Sequence, residues 1–319
     1  MDEKDLKLQN KIIKYHIAII SLITSLSFIL FYLSFKNILP LVLFSNPKLN
    51  YLTYIFILFI LSTLFIFFFQ KKLFIQYFVG ILLCLLFSLS ISFIIFTKTN
   101  YYQFFLYIIT LTIYHYTEYF SVLIYHFKDL SFSSYLIDQS KYWVFASVFS
   151  LSETLIGTFY FHELKQNKFF FILGLILTII GQIFRISALY TGKNNFTHLV
   201  SYNKQKGHVL VKNGIYGISR HPSYFGFYLW SVGIQLMCGN VICFFGFLIA
   251  LYIFFKDRII DEEGMLIEFF GFEYIKYKEE VSILIPFIHM DKDEEDEHLE
   301  NYYRNNRGNA EIGFKLKKN

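Results

Sequence analysis

Charge is scarce in this chain. Only 17% of its 319 residues are Asp, Glu, Lys or Arg, against about a quarter in soluble globular domains. Cysteine is scarcer still: Cys84, Cys238 and Cys243 are three in number, odd, and set in or beside apolar runs, so neither a disulfide framework nor a thiolate metal site follows from them. The nine histidines lack zinc spacing with acidic or thiol partners. A glycine-rich dinucleotide fingerprint and a P-loop are both missing. The two halves show no internal repeat of the kind that many transporters carry. The net charge of +5 is modest and lies in loops between apolar runs, which speaks for membrane topology and against nucleic acid.

What fills the chain instead is apolar residue, 55% of the total, with 21% aromatic. Apolar runs fall at 15–35, 51–69, 73–97, 101–127, 142–161, 169–190, 222–237 and 240–255. At about 1.5 Å per residue, twenty residues cover a hydrocarbon core of roughly 30 Å. The fold expected is therefore an all-α, polytopic integral membrane protein of about eight transmembrane helices. The first run is too long for a signal-peptide core and has no small-residue cleavage site, so it reads as a retained span. The last two runs are short and read as a tilted hairpin, with Pro222 in the first helical turn, where proline is tolerated. Lysines at 4, 7, 11, 14, 71, 72, 128 and 141, with those of the 191–220 loop, put both termini and that loop on the cytosolic side.

Three regions follow: a membrane cage at 1–190, a catalytic region at 191–288 made of loop, hairpin and cytosolic helix, and a tail at 289–319. The acids at 291–300 read as solvated, disordered chain. Inside the cage, His115 and Glu118 share a helical face, as do Gln182 and Arg185, and Glu153 sits on its own run. Charges at membrane depth pair inside the bundle. Either Arg185 is neutralised by Glu118 or Glu153 as structural glue, or it lines a substrate cavity.

The polar segment 191–220 is too long for a plain connector, and Val209, Leu210, Val211, Ile215 and Tyr216 favour an ordered loop that packs back on the bundle. Beyond the hairpin, residues 256–277 read as an amphipathic cytosolic helix and turn. There Arg258 and Glu262 stand four apart on one face, with Asp261 and Glu263 beside them. Taken alone this is a surface ion pair worth under about 1 kcal/mol. Its position changes that reading, because the helix emerges from the membrane beneath a loop bearing Tyr216, Arg220, His221, Ser223 and Tyr224.

The stretches GIYGISRHPSYFG, NVIC, FFKDRIIDEEGMLIEFFGFEYIKYKEE and IPFI resemble the C-terminal signature of isoprenylcysteine carboxyl methyltransferases. The likeness reaches upstream through RISALYTGKNNFTHLV and HYTEYFSVLIYH, covering about residues 114–288. The Arg-His-Pro turn followed by an acidic pair is shared with membrane phospholipid methyltransferases and sterol reductases, which are the alternatives. The resemblance implies methyl transfer from S-adenosylmethionine to the C-terminal carboxylate of prenylated, CaaX-processed proteins of the small GTPase type, in the endoplasmic reticulum membrane. It implies cofactor contacts at His208, Val209, Leu210, Val211, Tyr216, His221, Pro222, Ser223, Tyr224 and Glu262, and a substrate-binding arginine at Arg258. Arg258 and Glu262 are thus the expected catalytic pair. Where relatives carry a cofactor-contacting glutamine this chain has Ser201, whose hydroxyl reaches less far.

The chemistry agrees. A terminal carboxylate with a pKa of about 3.5 is already ionised at neutral pH, so its methylation needs no general base. Alignment and exclusion of water carry the rate. Arg258 is expected to hold the carboxylate through its planar fork, and Glu262 to face positive or polar groups of the cofactor. His221 is expected to hold the cofactor's amino-acid end or to act in the chemistry, and Arg220 to be a membrane-surface anchor or a cofactor contact, with the structural role favoured. A prenyl chain, at about 0.8 kcal/mol per buried CH₂, calls for lipid contact and an apolar cage. No metal is expected.

Overall fold

The computed structural model describes residues 5–13, 16, 57, 60, 74–96, 102–161, 167–196, 203–204 and 207–305. The apolar runs at 15–35 and 51–69, the basic turn at 70–72, Ser201 and the residues after 305 lie wholly or almost wholly outside these. Every regular element among the described residues is helical. The chain divides into two compact units, Met1–Gln166 and Asn167–Asn319.

The first unit contains α1 (Phe74–Phe96), α2 (Tyr102–Tyr125) and α3 (Lys141–Tyr160). A cluster of Ile12, Val79, Leu83, Tyr119, Leu123 and Tyr135 forms its core. The Tyr119 and Tyr135 rings stack with centroids 4.1 Å apart. Their hydroxyls, like that of Tyr116, end on nearby acceptors: Tyr116 on the Gly80 carbonyl, Tyr135 on the Gln76 carbonyl at 3.0 Å, and Tyr119 beside His16 at 2.9 Å. His115 donates to the Tyr135 carbonyl at 2.8 Å. Ser140 caps α3 by accepting from Trp143 N. Within α3, Thr154 and Thr158 turn their hydroxyls back to the carbonyls four residues earlier, which satisfies a polar group on an otherwise apolar helix.

The second unit contains α4 (Lys168–Gly192), α5 (Pro222–Met237), α6 (Val241–Phe270), α7 (Phe272–Glu280) and α8 (Lys292–Asn305). Asn167 caps α4 by accepting from Phe169 N at 3.0 Å. Helices α4 and α5 meet backbone to backbone. A Cβ on Gly181 would stand 2.4 Å from Trp230 N, and one on Gly226 2.7 Å from Arg185 N, with Gly174 and Gly233 repeating the contact farther along. Such small-residue seams let apolar helices associate through close packing. Through this seam α4 packs in one unit with α5, and the two units divide at 166/167. Two described helices, α1 (over Phe74–Ile95) and α4, are long and apolar enough to cross a membrane.

Two expectations for the C-terminal third are corrected. The cytosolic helix expected to start at 256 is not a separate element, since α6 runs unbroken for 30 residues, about 45 Å. Its hydrogen-bond ladder is indifferent to the change from apolar to charged side chains at Lys256. It stops at Gly271, whose φ of +56° suits glycine. The acids at 291–300, expected as disordered chain, form most of α8. Met290 and Leu299 supply a buried anchor against Ile267, Tyr274 and Tyr277. Asp293, Glu294 and Glu295 occupy the first turn, where the helix dipole favours negative charge.

Candidate functional site

The turn between the polar loop and α5 sets the floor of the site. A 3₁₀ turn at Gly214–Gly217 holds Tyr216, whose carbonyl accepts from Tyr277 at 2.5 Å. Arg220 N bonds the Ser282 carbonyl at 3.0 Å, and Ser219 Oγ donates to Ile283 O at 2.8 Å. The turn is thereby stitched to the chain that follows α7. His221 then precedes Pro222, the first helical residue of α5.

Two adjacent carboxylates on α6 meet this turn and are used differently. Glu263 is 1% exposed. It accepts from Arg220 Nε at 2.7 Å, His221 Nε2 at 3.2 Å and Tyr274 Oη at 3.2 Å. Burial on its own would raise its pKa, but the hydrogen bond and positive field of His221, followed by those of Arg220, hold it at about 2. Glu263 is therefore ionised and can only accept. Arg220, which burial would push down, is raised by Glu263. Its guanidinium also donates to the Lys278 carbonyl at 3.0 Å and to that of Val281. Arg220 thus ties the turn to Glu263 and to the chain after α7, and it also lines the cleft.

Glu262, 31% exposed in its side chain, faces the open side. Tyr224 Oη donates to it at 2.5 Å and accepts from Arg258 Nε at 2.9 Å. His221 Nδ1 lies 3.9 Å away, and its ring is parallel to that of Tyr224 within 5°. Arg258, Tyr224, Glu262 and His221 thus form one continuous set. Arg185 enters from α4: it donates to Ser223 Oγ and lies 5.7 and 5.9 Å from the Phe196 and Phe227 ring centroids. It is a neighbour of the site, whereas Glu118 and Glu153 belong to the other unit.

These groups border an open cleft whose empty space, with the solvent at its mouth included, is about 850 Å³. His208, Val209, Leu210, Val211, Tyr216, His221, Pro222, Ser223, Tyr224 and Glu262 all line it. Arg258 is not among the lining residues and reaches the cleft only through its hydrogen bond to Tyr224. Two described residues of the loop are tied down beside the cleft: Val209 N donates to Asn195 Oδ1 at 2.9 Å, and Leu210 packs on the Ile267 cluster. His208 presents its edge to Phe269 and Phe270. Burial first and the Lys204 charge second lower its pKa against the pull of Glu262, so the ring is neutral at pH 7.

Sequence reasoning did not single out Asn195, Phe269, Tyr274 or Tyr277 as cleft residues, and left Glu263 as a mere neighbour of the pair. The spacing of Tyr274 and Tyr277, three apart after Gly271, was the available signal. S-adenosylmethionine fits what is present. His208 Nδ1 is buried and without a partner among the described residues, aromatic and aliphatic walls suit a nucleoside, and Glu262 and His221 suit a charged amino-acid end. Among the described residues no group of three or more His, Cys, Asp or Glu is arranged to hold a metal.

The model of the isoprenylcysteine carboxyl methyltransferase family matches residues 173–268, from the second turn of α4 to two residues before the end of α6. The chain is 39% identical over 219 residues to the protein-S-isoprenylcysteine O-methyltransferase of Saccharomyces cerevisiae, covering 67% of this chain and 89% of that protein. It is 36% identical over 193 residues to the Homo sapiens protein of the same name, covering 60% and 68%. A solved structure described as the eukaryotic intramembrane Ras methyltransferase, isoprenylcysteine carboxyl methyltransferase, superposes with a TM-score of 0.78 at 32% identity, over 88% of this chain and 98% of that one. With its helices, its cleft and these likenesses together, the chain belongs to the isoprenylcysteine carboxyl methyltransferase family.

Proposed function

We propose that the protein transfers a methyl group from S-adenosylmethionine to the C-terminal carboxylate of a prenylated cysteine, giving a methyl ester, in the endoplasmic reticulum membrane. In this reading some eight helices span the bilayer, with both termini and the 191–220 loop cytosolic, and the substrates are CaaX-processed proteins such as small GTPases. The observation that carries it, beside the family, is the Tyr224 hydroxyl between Arg258 Nε and Glu262 at the mouth of the cleft.

When bound, the cofactor supplies an electrophilic methyl group on a sulfonium. His208, Val209, Leu210, Val211, Tyr216, His221, Pro222, Ser223, Tyr224 and Glu262 are the residues that hold it. The neutral His208 ring offers an unused nitrogen, and the Glu262 carboxylate offers negative charge toward a cation. Arg258 receives the substrate carboxylate by charge and by the geometry of its planar fork, with its position set by Tyr224. No residue needs to remove a proton, because the nucleophile is ionised at working pH. The aromatic and aliphatic walls keep water from the reacting pair. An amine nucleophile, as in a phospholipid methyltransferase, would have to lose a proton and would meet a guanidinium in place of a base.

The test is incubation of membranes carrying the protein with methyl-labelled S-adenosylmethionine and a farnesylated cysteine analogue. A base-labile methyl ester is expected from the wild type and not from Arg258→Ala. Label only in phosphatidylethanolamine overturns the reading.

A further inference from the structure

Gly264 follows the Glu262–Glu263 pair in the interior of α6, where glycine costs a helix roughly a factor of five in its folding equilibrium relative to alanine. Its φ is not among the positive values, so the backbone does not call for it. What the missing side chain makes room for is the ring of His298 on α8: a Cβ on Gly264 would stand 2.4 Å from His298 Nε2 and 2.7 Å from Cε1. A second notch lies at Gly271, where a Cβ would stand 2.5 Å from the Tyr302 ring. Polar ties flank both. His298 Nδ1 lies 2.8 Å from Glu268 Oε1, Asn301 Nδ2 donates to the same carboxylate at 3.3 Å, and Lys278 Nζ donates to Glu295 at 2.5 Å while lying 3.8 Å from Glu263.

The helix so seated stands directly behind the cleft. Tyr274 and Tyr277 line the cleft and also form the cluster that buries Met290 and Leu299. Tyr274 bonds Glu263, and Tyr277 bonds the carbonyl of Tyr216. The matched family region ends at 268, so α8 lies beyond it. We infer that α8 is a positioning element of the donor site: seated in the glycine notches of α6 and its C-terminus, it fixes the Glu262–Glu263 pair and the tyrosine wall without touching the bound molecule. This rests on reading the cleft as the S-adenosylmethionine site. Arg258 lies more than a turn before the first notch, so the effect falls on the donor and not on the prenylated substrate.

Gly264→Ala in the full chain tests it, since alanine is intrinsically the better helix former. The expected result is a KM for S-adenosylmethionine raised about five-fold, with kcat and the KM for the farnesylated substrate within about two-fold. Amide exchange over 292–305 is expected to quicken about ten-fold. Adding His298→Ala removes the ring that the new methyl strikes and returns the donor KM toward wild type, because Met290, Leu299 and the Lys278–Glu295 tie still seat the helix. Unchanged donor KM overturns the inference, whether or not exchange quickens, and so does failure of His298→Ala to restore it. A wild type that transfers no methyl from S-adenosylmethionine instead sinks the reading of the cleft, and the positioning role with it.

Discussion

Tyr116 and Tyr135 of the first unit and Tyr224 and Tyr274 of the second are the same side chain put to opposite uses. In the seam of α1 and α2 the hydroxyls of Tyr116 and Tyr135 end on main-chain carbonyls, and the Tyr119 and Tyr135 rings stack. Each hydroxyl satisfies itself so that its ring can fill volume. Around the cleft, Tyr224 and Tyr274 end on Glu262 and Glu263, and Tyr224 also takes a bond from Arg258. There the hydroxyl sets the position of a charge. Burial of a polar group does not by itself mark a site; what the group is aimed at does.

That contrast is broken most severely at Glu263. Glu263→Gln keeps the shape but leaves the buried Arg220 without its counter-charge, and a loss of about 3–5 kcal/mol is expected, read as loss of folded protein on heating in detergent. Next comes Tyr224→Phe against Tyr135→Phe. The first is expected to lower kcat/KM about ten- to a hundred-fold with stability little changed, by releasing Arg258 from Glu262. The second is expected to leave kcat/KM alone and cost about 1 kcal/mol of stability. Equal effects of the two on activity would erase the distinction. Arg258→Lys sharpens it further: the charge stays but the fork is lost, and the KM for the prenylated substrate is expected to rise about ten-fold.

A further effect is with pH. Glu263 is held at about 2 against an ordinary value of 4.5. A carboxyl whose folded pKa is depressed stabilises fully above its unfolded value, and that stabilisation drains as pH falls from about 4.5 toward about 2. Acid titration of thermal stability is expected to show this loss in the wild type and not in Glu263→Gln.

Much of this was legible in the residues. Pro222 announced the start of α5 because proline is pre-set for a first helical turn, and the run to Met237 ends where the helix does. That Tyr216, His221 and Tyr224 would meet Glu262 followed from a long loop leading into that turn beside a helix with an acidic pair, whereas His208 was pointed to by the family resemblance. What stayed hidden depends on contacts between distant segments. Gly174 and Gly181 look like any glycines until Gly233 and Gly226 lie against them, and only then does the sixth run join the second unit. In the acidic tail, charge outweighed Met290 and Leu299, and nothing local says that Gly264 awaits a ring from residue 298. Glu262 and Glu263 are equivalent on paper; one helical step of 100° separates the carboxylate that locks the turn from the one that faces the cleft.

The unbroken course of α6 carries a mechanical corollary. Phe254, among the apolar residues, and Glu262, at the cleft, ride on a single rigid rod with no joint between them. Arg258 lies between them, its guanidinium 5.9 Å from the Phe254 ring centroid and bonded to Tyr224, so the apolar packing and the polar contacts bear on one continuous element.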